Sequence, residues 1–208
     1  ACLHHPNIVQ VYDIGKHNEM HYLVLEYFEG MNLHDFVQRN GPLDLVRACH
    51  YIRQVALGLQ HAHEHGLVHR DIKPANLMLC TYGGVYDFLK VLDFGLVKLV
   101  APASLPVPMI TNPNLMVGTP QYMAPEGMKT DGGVDKRSDL YALGAVAYFL
   151  LTGAEPYQGD TVIEVATNLL NGEVIRPSAR LKRSVANDLE ECILRCLAKN
   201  PEERYQTI

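Results

Sequence analysis

A chain of 208 residues, 48% hydrophobic and 20% charged, can bury one sizeable core but is too short for several full domains. Its formal net charge of -5 gives no reason to expect nucleic acid or an anionic membrane as a partner. Five cysteines, an odd number without repeating spacing, argue against a disulfide framework and for reduced thiols in a cytoplasmic compartment.

The chain opens on Ala1, without a charged-then-apolar leader, and is expected to be a piece of a longer protein. Residues 9–16 and 21–27 are rich in β-branched and aromatic side chains and flank the polar turn His17-Asn18-Glu19. They predict an antiparallel hairpin. Asn32 caps a short helix through Arg39, with Leu33, Phe36 and Val37 on one face and Gly41 at its end. Asp44 caps a longer one, in which the spacing of Leu45, Cys49, Ile52, Val55 and Leu59 predicts a single buried stripe. His61, His63 and His65 near its end alternate, which scatters them around a helix. Solvated helix-end residues are expected there rather than a metal site.

Residues 77–80 and 89–94 predict two short strands joined through residues 81–88, where Gly83-Gly84 suits a hairpin turn. From 96 to 116 prolines and the absence of periodicity predict an irregular, mobile segment. Asp139 then opens a helix through LYALGAVAYFLLTG, apolar all round and therefore central. Its apolar run, 140–151, is too short to span a bilayer. Amphipathic helices are expected at 161–171 and at 184–199, the second with a Ser cap and Pro201 beyond it. Cys192 and Cys196 stand one turn apart on it and read as buried packing thiols.

The chemistry concentrates between these helices. HRDIKPAN, residues 69–76, puts a proton acceptor (Asp71), a cation (Lys73) and an amide (Asn76) on one loop, and a second carboxylate, Asp93, follows in KVLDFG. Phosphoryl transfer needs such a set, because its barrier falls mainly through positioning and neutralisation of charge. Asn76 and Asp93 offer oxygen ligands suited to Mg²⁺. Taken singly, each is more often an ordinary loop residue, Asp71 a turn aspartate and Lys73 a surface lysine; it is their order and spacing that argue for chemistry. Arg70 can bind a phosphate bidentately, which points to control by phosphorylation, with Thr111 and then Ser104 as candidate acceptors.

These motifs, with GTPQYMAPE at 118–126, resemble those of eukaryotic-type serine/threonine protein kinases, from LHHPNIV near the start to NPEERY near the end. LDFGLVK and SDLYALGAVAYFLLTG look closer to prokaryotic members than to animal ones. The resemblance implies an α+β, protein-kinase-like fold, with a partial β small lobe at 1–28 and a mainly helical large lobe at 29–208. It also implies transfer of the γ-phosphoryl group of ATP, with Mg²⁺, to Ser or Thr hydroxyls of protein substrates. Within it, Asp71 orients the acceptor hydroxyl, Lys73 neutralises the phosphoryl group, and Thr119 bonds to both. Glu26 and Phe28 would lie on the hinge that binds the adenine edge, with Leu25 behind the pocket and Met78 below it. From the residues alone Leu25 and Phe28 read more readily as plain hydrophobic core, and a core role for Met78 is equally compatible with the sequence. Glu126 and Arg204 are expected to form a buried ion pair, and Asp139 to hold the loop backbone from the central helix.

The sequence departs from the family pattern in two places: no Gly-rich loop or VAIK-type strand precedes Leu3, and the chain stops at Ile208, where such kinases add one more helix. The 208 residues alone are therefore expected to bind ATP poorly and turn over little. A pseudokinase or scaffold is the alternative, and a small-molecule phosphotransferase of related fold a third, disfavoured by the segment 118–126.

Overall fold

The computed structural model describes residues 3–18, 20–94, 120–128 and 133–208. Strands β1 (Val11–His17) and β2 (Met20–Leu25) pair antiparallel, with His17 opposite Met20 and Val11 opposite Leu25. Asn18 makes the turn in left-handed backbone, φ 45°, which asparagine tolerates better than most residues. A second sheet has the order β3 (Gly30–Asn32), β4 (Leu77–Tyr82), β5 (Val85–Val91), antiparallel throughout. β3 was not foreseen, since three residues are too few to show a period. β4 runs two residues past its expected end, and β5 lies earlier than the expected 89–94, from Val85 to Val91: Tyr82 still faces Val85, and only Gly83 and Gly84 turn the chain, at φ 56° and 80°. Positive φ at both positions is what a tight two-residue hairpin demands and what glycine supplies without a Cβ clash.

Helix α1 (Leu33–Asn40) starts where the Asn32 side chain accepts the Asp35 N–H and stops at Gly41, φ 81°. Helix α2 (Leu45–Glu64) starts in the same way, with Asp44 accepting from Arg47 N–H. Its buried face differs from the predicted stripe. Val55 and Leu59 are fully buried, but Leu45 and Cys49 are exposed, and the stripe runs through Ala48, Tyr51, Val55, Leu59 and Ala62. α2 packs against both the central helix and β5, and alanines let those elements approach closely where leucine was expected to mark the contact.

That central helix, α3 (Lys136–Thr152), begins three residues before Asp139, capped by the Asp135 side chain on Arg137 N–H, and ends at Gly153, φ 72°. Every residue from Ser138 to Leu151 is buried. Each large apolar side chain so buried contributes about 1.5–3 kcal/mol relative to exposure. α4 (Val162–Asn171) starts one residue later than expected, because the Thr161 side chain caps it by accepting the Glu164 N–H, and the short α5 (Pro177–Leu181) was not foreseen. α6 is shorter than predicted, Asn187–Cys196: Ala186 precedes it without a side-chain cap, so Ser184 does not serve as one. α6 lies across α3 at Gly144, where a Cβ would come within 2.6 Å of the Cys196 Cβ. Cys196 is buried as predicted, but Cys192 is exposed.

Residues just before the hairpin join the main core. Asn7, buried, donates to Gln54 Oε1 at 3.0 Å and to the Leu89 carbonyl at 2.8 Å, and Ile8 bridges to Val91 in parallel. No helix among the described residues is long and apolar enough to cross a membrane.

Candidate active site

The loop from His69 to Asn76 has almost no regular structure, so its backbone needs partners from elsewhere. Asp139, 1% exposed on α3, supplies them: Oδ2 accepts the His69 N–H and Oδ1 the Arg70 N–H, both at 2.8 Å. The Asp139 Oδ2 also accepts from His63 Nε2 at 2.8 Å, so His63 is not the solvated helix-end residue that its spacing suggested. Alternate spacing sent the three rings to different places. His63 turned inward onto a carboxylate, while the rings of His61 and His65 meet at a tilt of 46°, centroids 4.4 Å apart.

His69 is buried and ties the two halves of the site together. Its Nε2 donates to the Leu92 carbonyl at 2.7 Å and its Nδ1 accepts the Asp71 N–H at 3.2 Å, with the Phe94 ring edge-on at 4.6 Å. Burial lowers its pKa below the ordinary histidine value, against the pull of Asp139, the Leu92 carbonyl, Asp71 and Asp93. The imidazole is therefore neutral, as one donor and one acceptor require. Asp71 and Asp93, on separate segments, both act electrostatically on this one ring.

Around Asp71 the side chains interlock. Lys73 Nζ donates to both carboxylate oxygens, at 3.0 and 2.8 Å. The Asn76 amide nitrogen donates to the Asp71 carbonyl at 2.8 Å and to Oδ2 at 2.9 Å, which leaves the amide oxygen as the atom available to a cation. The Asn76 carbonyl in turn accepts Leu92 N–H at 2.9 Å, holding the chain next to Asp93. Asp93 and Arg70 both sit in left-handed backbone, φ 60° and 70°. Non-glycine residues persist there only where surroundings impose it, a feature that clusters at functional sites. The Arg70 side chain is exposed.

At the end of β2, Leu25 is exposed, while Glu26, Phe28 and Met78 are half-buried. A residue that sequence reasoning missed joins them. Lys90 on β5 is 2% exposed and donates to Glu26 Oε2 at 2.8 Å, with its ammonium 4.2 Å from the Tyr82 ring centroid and 6.0 Å from that of Phe28. A lysine three positions before Asp93 looks like an ordinary surface cation in the sequence, and only its strand neighbours reveal burial.

Glu126 and Arg204 meet in a two-pronged pair, 2.7 Å on each prong, and Ser138 Oγ also donates to Glu126 at 2.7 Å. Arg204 is 0% exposed and spends its other N–H groups on the Ala198, Arg137 and Lys199 carbonyls. Burial alone would raise the Glu126 pKa; the bonds from Arg204 and Ser138 outweigh it and hold the carboxyl below its ordinary value. Thr119, Thr111, Ser104 and the predicted mobile segment lie outside the described residues.

The protein kinase domain family matches residues 1–207. The chain is 41% identical over 211 aligned positions to serine/threonine-protein kinase PknB of Mycobacterium tuberculosis and 39% identical over 208 to serine/threonine-protein kinase PrkC of Bacillus subtilis. Both alignments cover 100% of this chain but only 32% and 30% of those proteins, so it spans about a third of their length. A crystal structure of Rad53 residues 1–466 with AMP-PNP superposes with a TM-score of 0.76 at 26% identity, over 97% of this chain and 48% of that one. The bacterial relatives agree with the resemblance to prokaryotic kinases, and the chain belongs to the protein kinase domain family.

Proposed function

We propose that this chain carries the catalytic loop of a protein serine/threonine kinase that transfers the γ-phosphoryl group of ATP to a protein hydroxyl. The observation that carries the reading is Asp71 bonded to Lys73, Asn76 and the neutral buried His69, a ring on which Asp93 also acts. Asp71 accepts the hydroxyl proton while the oxygen bonds to phosphorus and ADP departs, and Lys73, already on both oxygens of Asp71, neutralises the moving charge. Thr119 is assigned to the same pair. Asn76 and Asp93 offer an amide and a carboxylate oxygen, a donor set that fits a hard cation. Mg²⁺ bound there would spread the negative charge of the phosphates.

Residues 1–28 are read as the small-lobe strands and hinge, and 29–208 as the large lobe. Leu25, the backbone of Glu26 and Phe28, and Met78 are assigned to the adenine. The AMP-PNP bound by Rad53 and that structure's likeness to this chain support a nucleotide site. Arg70, exposed beside Asp71, is assigned to a phosphate on Thr111 or Ser104. Asp139 and the Glu126–Arg204 pair serve structure rather than chemistry. A cytoplasmic location is supported by the free thiols of Cys49, Cys80, Cys192 and Cys196. Retention of Asp71, Asn76 and Asp93 disfavours a pseudokinase.

The test is incorporation of labelled phosphate from ATP into a protein acceptor by the polypeptide that carries this chain, beside its Asp71→Asn form. A fall of about 10²–10⁴-fold is expected from loss of a proton acceptor. Equal incorporation by both forms would refute the assignment.

A further inference from the structure

β5 holds the β1–β2 hairpin at both of its ends. Where the chain enters the hairpin the hold is backbone: the Val91 N–H donates to the Asn7 carbonyl at 2.8 Å, and the Val91 carbonyl accepts the Val9 N–H at 3.0 Å. Where the chain leaves it the hold is a side chain, Lys90 Nζ donating to Glu26 Oε2 at 2.8 Å. That oxygen also accepts the Gln10 N–H at 3.3 Å, and the Glu26 N–H donates to the Gln10 carbonyl at 2.9 Å. The β1–β2 ladder ends at Leu25 and the second sheet begins at Gly30, so residues 26–29 cross between the two sheets without a ladder of their own. With the entry fixed by backbone, the Lys90 bond is what stops the hairpin from pivoting about it.

We propose that Lys90 is a positioning residue for the nucleotide, which through Glu26 sets how far the crossing segment 26–28 stands from β5. The inference rests on the assignment of Leu25, Glu26 and Phe28 to the adenine. Lys90 lies opposite Met78 across the β4–β5 ladder, and residues so paired share a face of the sheet. Its ammonium is 6.0 Å from the Phe28 ring centroid, among the side chains assigned to the base. β5 then leads through Leu92, whose N–H the Asn76 carbonyl accepts, to Asp93. One strand therefore carries the phosphate end of the site in its backbone and fixes the base end through a side chain.

Lys90 is 2% exposed, so it acts on the nucleotide only through the residues it holds. A buried charge-assisted bond fixes distance and direction, whereas apolar contact, being non-directional, would fix neither. The Tyr82 ring, 4.2 Å from the ammonium, favours the cation in this place. A ligand gripped at two points gains affinity when their separation is set before it arrives.

The experiment uses the polypeptide that carries this chain and follows ATP binding by titration calorimetry, phosphate-transfer kinetics and melting temperature together. Lys90→Met should raise Kd and KM for ATP about tenfold with a smaller change in kcat, the pattern of lost ground-state binding by a residue that does not touch the ligand. Its melting temperature should also fall, because Glu26 is left without its cation. Combining Lys90→Met with Glu26→Gln removes both charges and should restore the melting temperature, while Kd stays raised because the tether is still missing. Should Lys90→Met alone fail to fold, the combined form decides. ATP affinity that returns with the melting temperature, or that never changes, would overturn the proposal. So would a fall in kcat equal to that in kcat/KM, which would place the loss in the transition state. ATP bound without phosphate transfer would refute the proposed function instead, and calorimetry would still decide the role of Lys90.

Discussion

The loop from His69 to Asn76 and the β1–β2 hairpin are both short, yet they are held in opposite ways. The loop takes its shape from residues far along the chain, since its first N–H groups rest on Asp139, about seventy positions on, and its imidazole on Leu92. The hairpin is shaped by its own ladder. Its side chains largely face out, with Tyr12 67%, Ile14 54% and Met20 70% exposed. A structure without internal periodicity can thus be the more tightly specified of the two, provided buried groups elsewhere dictate each of its bonds.

If that contrast holds, the largest losses come from anchors remote from the loop. Arg204→Ala leaves Glu126 charged, buried and without its partner, at a cost of about 3–5 kcal/mol. At this chain length that is a fall of about 10 °C in melting temperature. An unchanged melting curve would break the comparison at its strongest point. Asp139→Asn comes next: an amide keeps one acceptor oxygen where two backbone N–H groups and His63 now meet a carboxylate. A loss of about 1.5–3 kcal/mol is expected in urea unfolding. Phosphate transfer should fall with it, because the loop would lose its fixed register.

Acid should expose the same asymmetry. Glu126 and His69 both have folded-state pKa values below their ordinary ones, so the unfolded chain binds more protons than the folded one in the intervening range. Their stabilisation is complete above the unfolded values, about 4.3 for Glu and 6.5 for His, and is lost as pH falls toward the folded ones. Stability should decline in two stages, His69 first and Glu126 below it. Glu126→Gln should flatten only the second, and urea midpoints measured from pH 7 to 3 test this. A decline with one stage that Glu126→Gln leaves unaltered would contradict the assignment.

Much of the anchored region was legible because its chemistry is written in short spacings. HRDIKPAN pointed to the loop that Asp139 and His69 hold in place, and caps such as Asn32 and Asp44 marked helix starts through the side-chain bond that each goes on to make. What stayed hidden depends on neighbours distant in sequence. Lys90 is buried only because Glu26 and Tyr82 close over it, and His63 turns inward only because Asp139 waits there. The stripe on α2 was misplaced for a related reason, since alanines mark close helix contacts without standing out as apolar.

The smallest effect belongs to the hairpin and sharpens the contrast from its other side. Ile14 sits in the middle of β1 opposite Leu23 and is 54% exposed, so truncation removes little buried surface and leaves no cavity in a packed core. Its β-branched shape still favours an extended strand, an effect that spans about 1 kcal/mol over all residues. Ile14→Ala should therefore shift the urea midpoint by an amount worth no more than about 0.5 kcal/mol, the usual range for surface changes. A loss of several kcal/mol would mean that the hairpin carries more of the common core than its exposure allows, and the division between a remotely anchored loop and a self-supporting ladder would no longer stand.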